Sequence, residues 1–107
     1  MRATGAILHG VLAVAALLFA ALPVRAQEAL YLRTLAANCA QCHGTDGHPV
    51  AGSPLPALAG RPRDELVAQL KAFKAGTRPS TIMQQLARGY SDEQIDLVAD
   101  YFSRRSR

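Results

Sequence analysis

An all-α domain of three or four helices with one long irregular loop is the fold class that the 107-residue sequence predicts. Three observations carry that prediction. Beyond position 27 apolar residues recur at helical spacing, no segment alternates as a half-buried strand would, and four prolines with two glycines fall between His48 and Pro62.

Residues 1–26 differ in composition from the rest and are expected to be an export signal. Arg2 supplies a positive start, Val11 to Leu22 form a run of twelve apolar residues, and Val24-Arg25-Ala26 places small residues where a signal peptidase reads. The alternative is an uncleaved membrane anchor, but twelve apolar residues followed by Pro23 fall short of the roughly 20 needed to span a bilayer. Cleavage after Ala26 predicts a single mature domain, 27–107, in the periplasm and with no membrane span.

The first helix of that domain is expected from Glu28 to Cys42, where Leu32, Leu35, Ala36 and Cys39 share one face, and Gly44 and Gly47 follow as its end. The Pro-rich segment from His48 to Pro62 then denies both a long helix and a central strand. A second helix runs from Asp64 to Ala75, with Leu66, Leu70 and Phe73 on its apolar face and Gly76 as its cap. A short helical piece from Ile82 to Arg88 stops at Gly89. The last helix starts at Ser91, whose spacing to Gln94 is that of a capping box, and carries Ile95, Val98 and Phe102 on one side.

Composition adds two constraints. Of the 81 residues from Gln27 onward 34 are apolar, and 12 of those are alanine. Such a thin core calls for a staple. Net charge is modest: 12 Lys and Arg against 8 Asp and Glu overall, with Arg2 and Arg25 in the leader. The basic residues are scattered except for "RRSR" at 104–107, which reads as a solvated tail. No basic face with interleaved aromatics is present, so nucleic acid is not an expected partner.

The stretch "NCAQCHGTDGH", 38–48, holds the chemistry. A thioredoxin-like dithiol needs C-x-x-C at the start of a helix packed on a sheet, whereas Cys39 and Cys42 follow a helix in a chain without strands. Structural zinc needs four Cys or His ligands, and beyond Cys39, Cys42 and His43 only the poorly placed His48 is available. Covalent haem c remains. One helical turn brings Cys39 and Cys42 to neighbouring positions, each able to form a thioether, and His43 follows as an iron ligand.

For the second axial position Met83 is the candidate, since no other methionine lies beyond Met1. A lone methionine is ordinarily core filler, yet the 40 residues from His43 to Met83 suffice to carry the chain around a porphyrin to its opposite face. His48 is too near His43 in sequence to reach that face and is assigned to the loop surface. The ring N–H of His43 needs an acceptor, for which a carbonyl of the Pro-rich loop, at Pro54 or Pro56, is the expected source.

The segments "CAQCHGTDG", "PLPALAG" and "LVAQLKAFKAGTRPSTIMQQLARGYSDEQIDLVADYF" together resemble the small class I cytochromes c of bacteria, over nearly all of the mature chain. Within them the likeness is to the monohaem cytochrome subunits of flavocytochrome c sulfide dehydrogenases. The resemblance implies a cytochrome c fold with one covalent haem c, thioethers at Cys39 and Cys42, iron ligands at His43 and Met83, and Pro56 rather than Pro54 as the partner of His43. It also implies that the first and last helices cross, with Leu32 and Leu35 meeting Tyr101 or Phe102.

The expected function is one-electron transfer rather than catalysis, with a redox partner protein that is a sulfide-oxidising flavoprotein subunit. A free diffusible carrier serving an oxidase or reductase is the alternative, and a haem sensor or enzyme with an open sixth site is another. Leu58, Leu70, Phe73, Ile82 and Leu86 are expected around the porphyrin, with Arg61, Arg63 and Lys74 steering an acidic partner or merely solubilising the surface.

Overall fold

The computed structural model describes residues 2–107, with side chains described at 9–15 and 23–107. Four α-helices follow in order, α1 (Arg2–His43), α2 (Arg63–Ala75), α3 (Met83–Arg88) and α4 (Asp92–Ser103), with a 3₁₀ turn at Thr45–Gly47. Among the described residues there is no strand. The chain divides into two units, residues 1–31 and 32–107.

The first unit is helical throughout its described residues, with Val11, Leu12 and Val14 exposed. The apolar run expected from Val11 to Leu22 continues past Ala15 into residues whose side chains lie outside those described. Helix α1 starts well before Glu28, where periodicity alone places its beginning, because Pro23 lies inside the helix rather than ending it. A proline forfeits one backbone hydrogen bond, and the alanines and leucines around it are strong helix formers. Among the described residues no helix is long and apolar enough to cross a membrane.

The second unit is organised by a small core. Ala36 of α1, Leu66 of α2, and Val98, Ala99, Tyr101 and Phe102 of α4 are buried together, with Leu32, Cys39, Leu58, Val67 and Tyr90 packed against them. The α1 residue buried against α4 is Ala36, while Leu35 is only half-buried.

Local signals fix the helix ends. Asp64 and Glu65 in the first turn of α2 and Lys74 in its last complement the helix dipole, and Gly76 closes the helix in the left-handed conformation. Helix α4 starts with a complete capping box: Ser91 Oγ accepts from Gln94 N at 3.2 Å, and Gln94 Oε1 accepts from Ser91 N at 2.9 Å.

Between α1 and α2 the chain turns sharply. Gly44 has φ 84°, and a Cβ there would lie 1.8 Å from the His48 carbonyl oxygen, so only glycine serves. At Gly47 a Cβ would meet Ala59 N at 2.7 Å and Phe102 Cδ1 at 2.9 Å. This close approach lets Leu58 N and Ala59 N donate to the Gly47 carbonyl, which ties the Pro-rich loop to the end of α1.

The C-terminal tail stays exposed at Arg104, Ser106 and Arg107, as its charge implies, yet it folds back onto the domain. The Arg105 guanidinium stacks 3.9 Å over the Tyr101 ring, His48 Nε2 donates to the Ser106 carbonyl at 2.7 Å, and Arg107 Nε donates to the Gly60 carbonyl at 3.1 Å. Arg104 pairs with Asp100 at 2.9 Å, one turn back, but these three contacts are with an aromatic face and with backbone oxygens, which charge clustering does not reveal.

Candidate haem site

Cys39, Cys42 and His43 all lie in the closing turns of α1. Cys39 is half-buried against the core and Cys42 is exposed. Burial pushes the Cys39 thiol upward from its ordinary value, against a smaller downward pull from the Tyr90 hydroxyl. A redox-active dithiol is favoured by the opposite shift. Among the described residues no group of three or more His, Cys, Asp or Glu side chains is placed to hold a metal ion.

His43, the final residue of α1, is buried. Its Nδ1 lies 2.8 Å from the Pro56 carbonyl oxygen. A carbonyl only accepts, so Nδ1 carries the proton and donates, leaving Nε2 as the atom with a free lone pair. The chain thus holds the imidazole in one tautomer and one orientation through a residue 13 positions away.

Met83 opens α3 and is half-buried. The Ser80 hydroxyl accepts from Gln84 N at 2.8 Å, capping the entry to this short helix. Of the apolar residues expected around a porphyrin, Leu58, Leu70 and Phe73 are half-buried while Ile82 and Leu86 are 55% and 42% exposed. Leu55 and Val50 in the Pro-rich loop are exposed as well. These large apolar side chains are left open to solvent while the buried core is completed elsewhere by Leu66, Ile95, Val98 and Phe102.

The donor chemistry fits a haem c: two thiols one helical turn apart, a tautomer-fixed imidazole beside them and a thioether at the head of α3. His48 takes no part in this set. It is exposed and holds the tail, with Nδ1 3.3 Å from the Thr45 carbonyl.

The basic residues expected to face a partner are engaged within the chain. Arg61 pairs with Glu65, Arg63 reaches Asp64 at 3.1 Å and Asp96 at 3.2 Å, and Lys74 Nζ donates to Asp92 at 2.9 Å and to the Tyr90 carbonyl at 2.8 Å. The α2–α4 packing brings Asp96 to Arg63 and Asp92 to Lys74, pairs that sequence distance hides, whereas Glu65 and Asp64 are neighbours in sequence.

Tyr90 was not among the expected site residues. Its hydroxyl accepts from Asn38 Nδ2 at 3.2 Å and donates to the Leu35 carbonyl at 3.2 Å, beside the Cys39 thiol. A tyrosine placed between a helix-ending Gly89 and a helix-capping Ser91 is the signal that could have found it, since its apolar body and polar tip suit a junction between elements.

A family model for cytochrome c matches residues 32–105. The chain belongs to the cytochrome c family. It is similar to the cytochrome subunit of sulfide dehydrogenase of Chlorobaculum tepidum, 41% identical over 73 residues that make up 68% of this chain and 64% of that protein. It is also similar to the thiosulfate dehydrogenase electron acceptor of Stutzerimonas stutzeri, 43% identical over 69 residues, covering 62% of this chain and 32% of the relative. The chain therefore spans less than two thirds of the length of either.

Among solved structures it is similar to cytochrome c4 of Acidithiobacillus ferrooxidans, at 40% identity and a TM-score of 0.57, covering 61% of this chain and 37% of the other. Residues 32–105 thus belong to a family of electron-transfer proteins whose cofactor is covalently bound haem c.

Proposed function

We propose that the protein is an exported, periplasmic one-electron carrier whose haem is attached through Cys39 and Cys42 and ligated by His43 and Met83. The observation that carries this reading is the buried His43 imidazole, with Nδ1 committed to Pro56 and Nε2 free to bind a metal. When bound, the haem supplies a one-electron Fe(III)/Fe(II) couple.

The residues around it do the rest. Pro56 fixes the ring and raises its basicity, a thioether at Met83 favours the reduced iron, and Ile82, Leu86 and Leu55 offer an apolar wall that keeps water away. Two retained ligands suit electron transfer rather than oxygen chemistry, because neither redox state then needs a new ligand. Export is supported by the composition of residues 1–26.

The partner we propose is a sulfide-oxidising flavoprotein, with this chain as its cytochrome subunit, on the likeness to the Chlorobaculum tepidum subunit. The likeness to a thiosulfate dehydrogenase electron acceptor favours a second reading, a diffusible carrier receiving electrons from a different dehydrogenase. Co-purification of the native protein with a flavin-containing partner supports the first, and a monomer that exchanges electrons rapidly with several donors sinks it.

Replacing Met83 by Ala tests the ligand set. The wild type should show the methionine-to-iron charge-transfer absorption and the variant should lose it. Its absence from the wild type would favour a sensor or enzyme with an open sixth position.

A further inference from the structure

Helix α3 is only six residues long, Met83–Arg88. A helix of under two turns has no appreciable stability of its own, so the position of Met83 depends on what holds α3 at its ends and along its side. Packing against α2 holds the side, and Ala87 is almost fully buried. The Ser80 cap holds the entry.

The exit is held by Tyr90. Its amide donates to the Ala87 carbonyl at 3.2 Å, and its own carbonyl accepts from Lys74 Nζ of α2 at 2.8 Å. Its ring packs against the buried core. Its hydroxyl engages α1 twice, at the Leu35 carbonyl and at Asn38, in the turn that leads into Cys39. One residue therefore joins the end of α3 to α2 and to the helix that ends at His43.

We propose that Tyr90 is a positioning residue: its hydroxyl, bridging Asn38 and Leu35, keeps the Met83-bearing α3 in register with the Cys39–His43 end of α1 and so retains Met83 on the iron. The inference rests on the Met83 ligation proposed above. Burial raises the phenol above its ordinary range, so the hydroxyl keeps its proton, and with it the bond to Leu35, through neutral and mildly alkaline pH.

The test uses the holoprotein and imidazole as a competing ligand. Tyr90→Phe removes the hydroxyl and keeps the ring in the core. With covalent haem and helical circular dichroism retained, the variant should bind imidazole about tenfold more tightly than the wild type, the scale set by one lost hydrogen-bonded group. Asn38→Ala, which removes one of the two hydroxyl partners and leaves the ring untouched, should give a smaller tightening in the same direction and stands in if Tyr90→Phe fails to fold.

Ser103→Ala removes a hydrogen bond at the far end of α4, away from this junction, and should leave imidazole affinity unchanged. The proposal is overturned if Tyr90→Phe and Asn38→Ala bind imidazole as the wild type does, or if Ser103→Ala tightens binding equally, which would make the effect global. A wild type that lacks the methionine charge-transfer absorption overturns the ligation reading itself. A wild type that shows it, beside a Tyr90→Phe protein of unchanged affinity, overturns the Tyr90 assignment alone.

Discussion

His43 Nδ1 donates to the Pro56 carbonyl at 2.8 Å, so the last residue of α1 and the middle of the Pro-rich loop are fixed to one another. Proline at 56 has φ locked, which limits how far its own carbonyl swings. Pro56→Ala keeps the carbonyl but releases this restraint. A longer, weaker bond makes His43 a poorer donor to oxidised iron, so the reduction potential should rise by about 20 to 40 mV, the equivalent of half to one hydrogen bond. Protein-film voltammetry measures it. An unchanged potential would mean that the rest of the loop holds the carbonyl in place.

The pair Asp46 and Tyr101 makes stability depend on pH at both extremes. The Tyr101 hydroxyl donates to Asp46, and this bond, helped by nearby Arg105 and Arg33, holds the carboxyl below its ordinary value. A lowered acid contributes stability that is present above the ordinary carboxylate range near pH 4 and is lost as pH falls through the lowered value. The same bond, with burial, raises the Tyr101 phenol. That contribution is present below about pH 10 and is lost as pH climbs through the raised value. Thermal melts of wild type and Tyr101→Phe should therefore differ most at neutral pH and converge as pH falls through the lowered Asp46 value. A constant gap across that range would rule the linkage out.

Ser91→Ala removes the acceptor half of the capping box at the start of α4, which supplies four of the six residues buried in the core cluster. The loss should be about 1 kcal/mol, lowering the melting temperature by roughly 4 to 8 °C in a domain of this size. Differential scanning calorimetry of the holoprotein measures it. Ser91→Asn, which can still cap, should recover most of the loss.

Short-range signals were read well because their physics is local. Gly76 as a helix cap, the Ser91–Gln94 box and the end of α1 at Gly44 all depend on residues within a few positions of one another. The start of α1 is not legible from periodicity, which begins at Glu28, because the residues before it are good helix formers with no amphipathic pattern, and they outweigh the one hydrogen bond lost at Pro23. The contacts of the tail at 104–107 are not legible in the sequence because two of its partners, His48 and Gly60, are distant in the chain. Tyr90 went unnoticed for the same reason, its contacts lying 52 and 55 residues away.

What the sequence by itself determined is the chemistry and the class: an all-α chain with a C-x-x-C-H motif, one methionine beyond Met1 and a thin apolar core after residue 26. Those properties are written in residue type and spacing, which need no third dimension. Tertiary structure alone decided that Ala36 rather than Leu35 meets α4, that Arg63 pairs with Asp96 and Lys74 with Asp92, and that a tyrosine ties α3 to α1. Each of these is a contact between groups far apart in the chain, and whether such groups meet depends on how the helices pack, a property of the whole fold rather than of any segment.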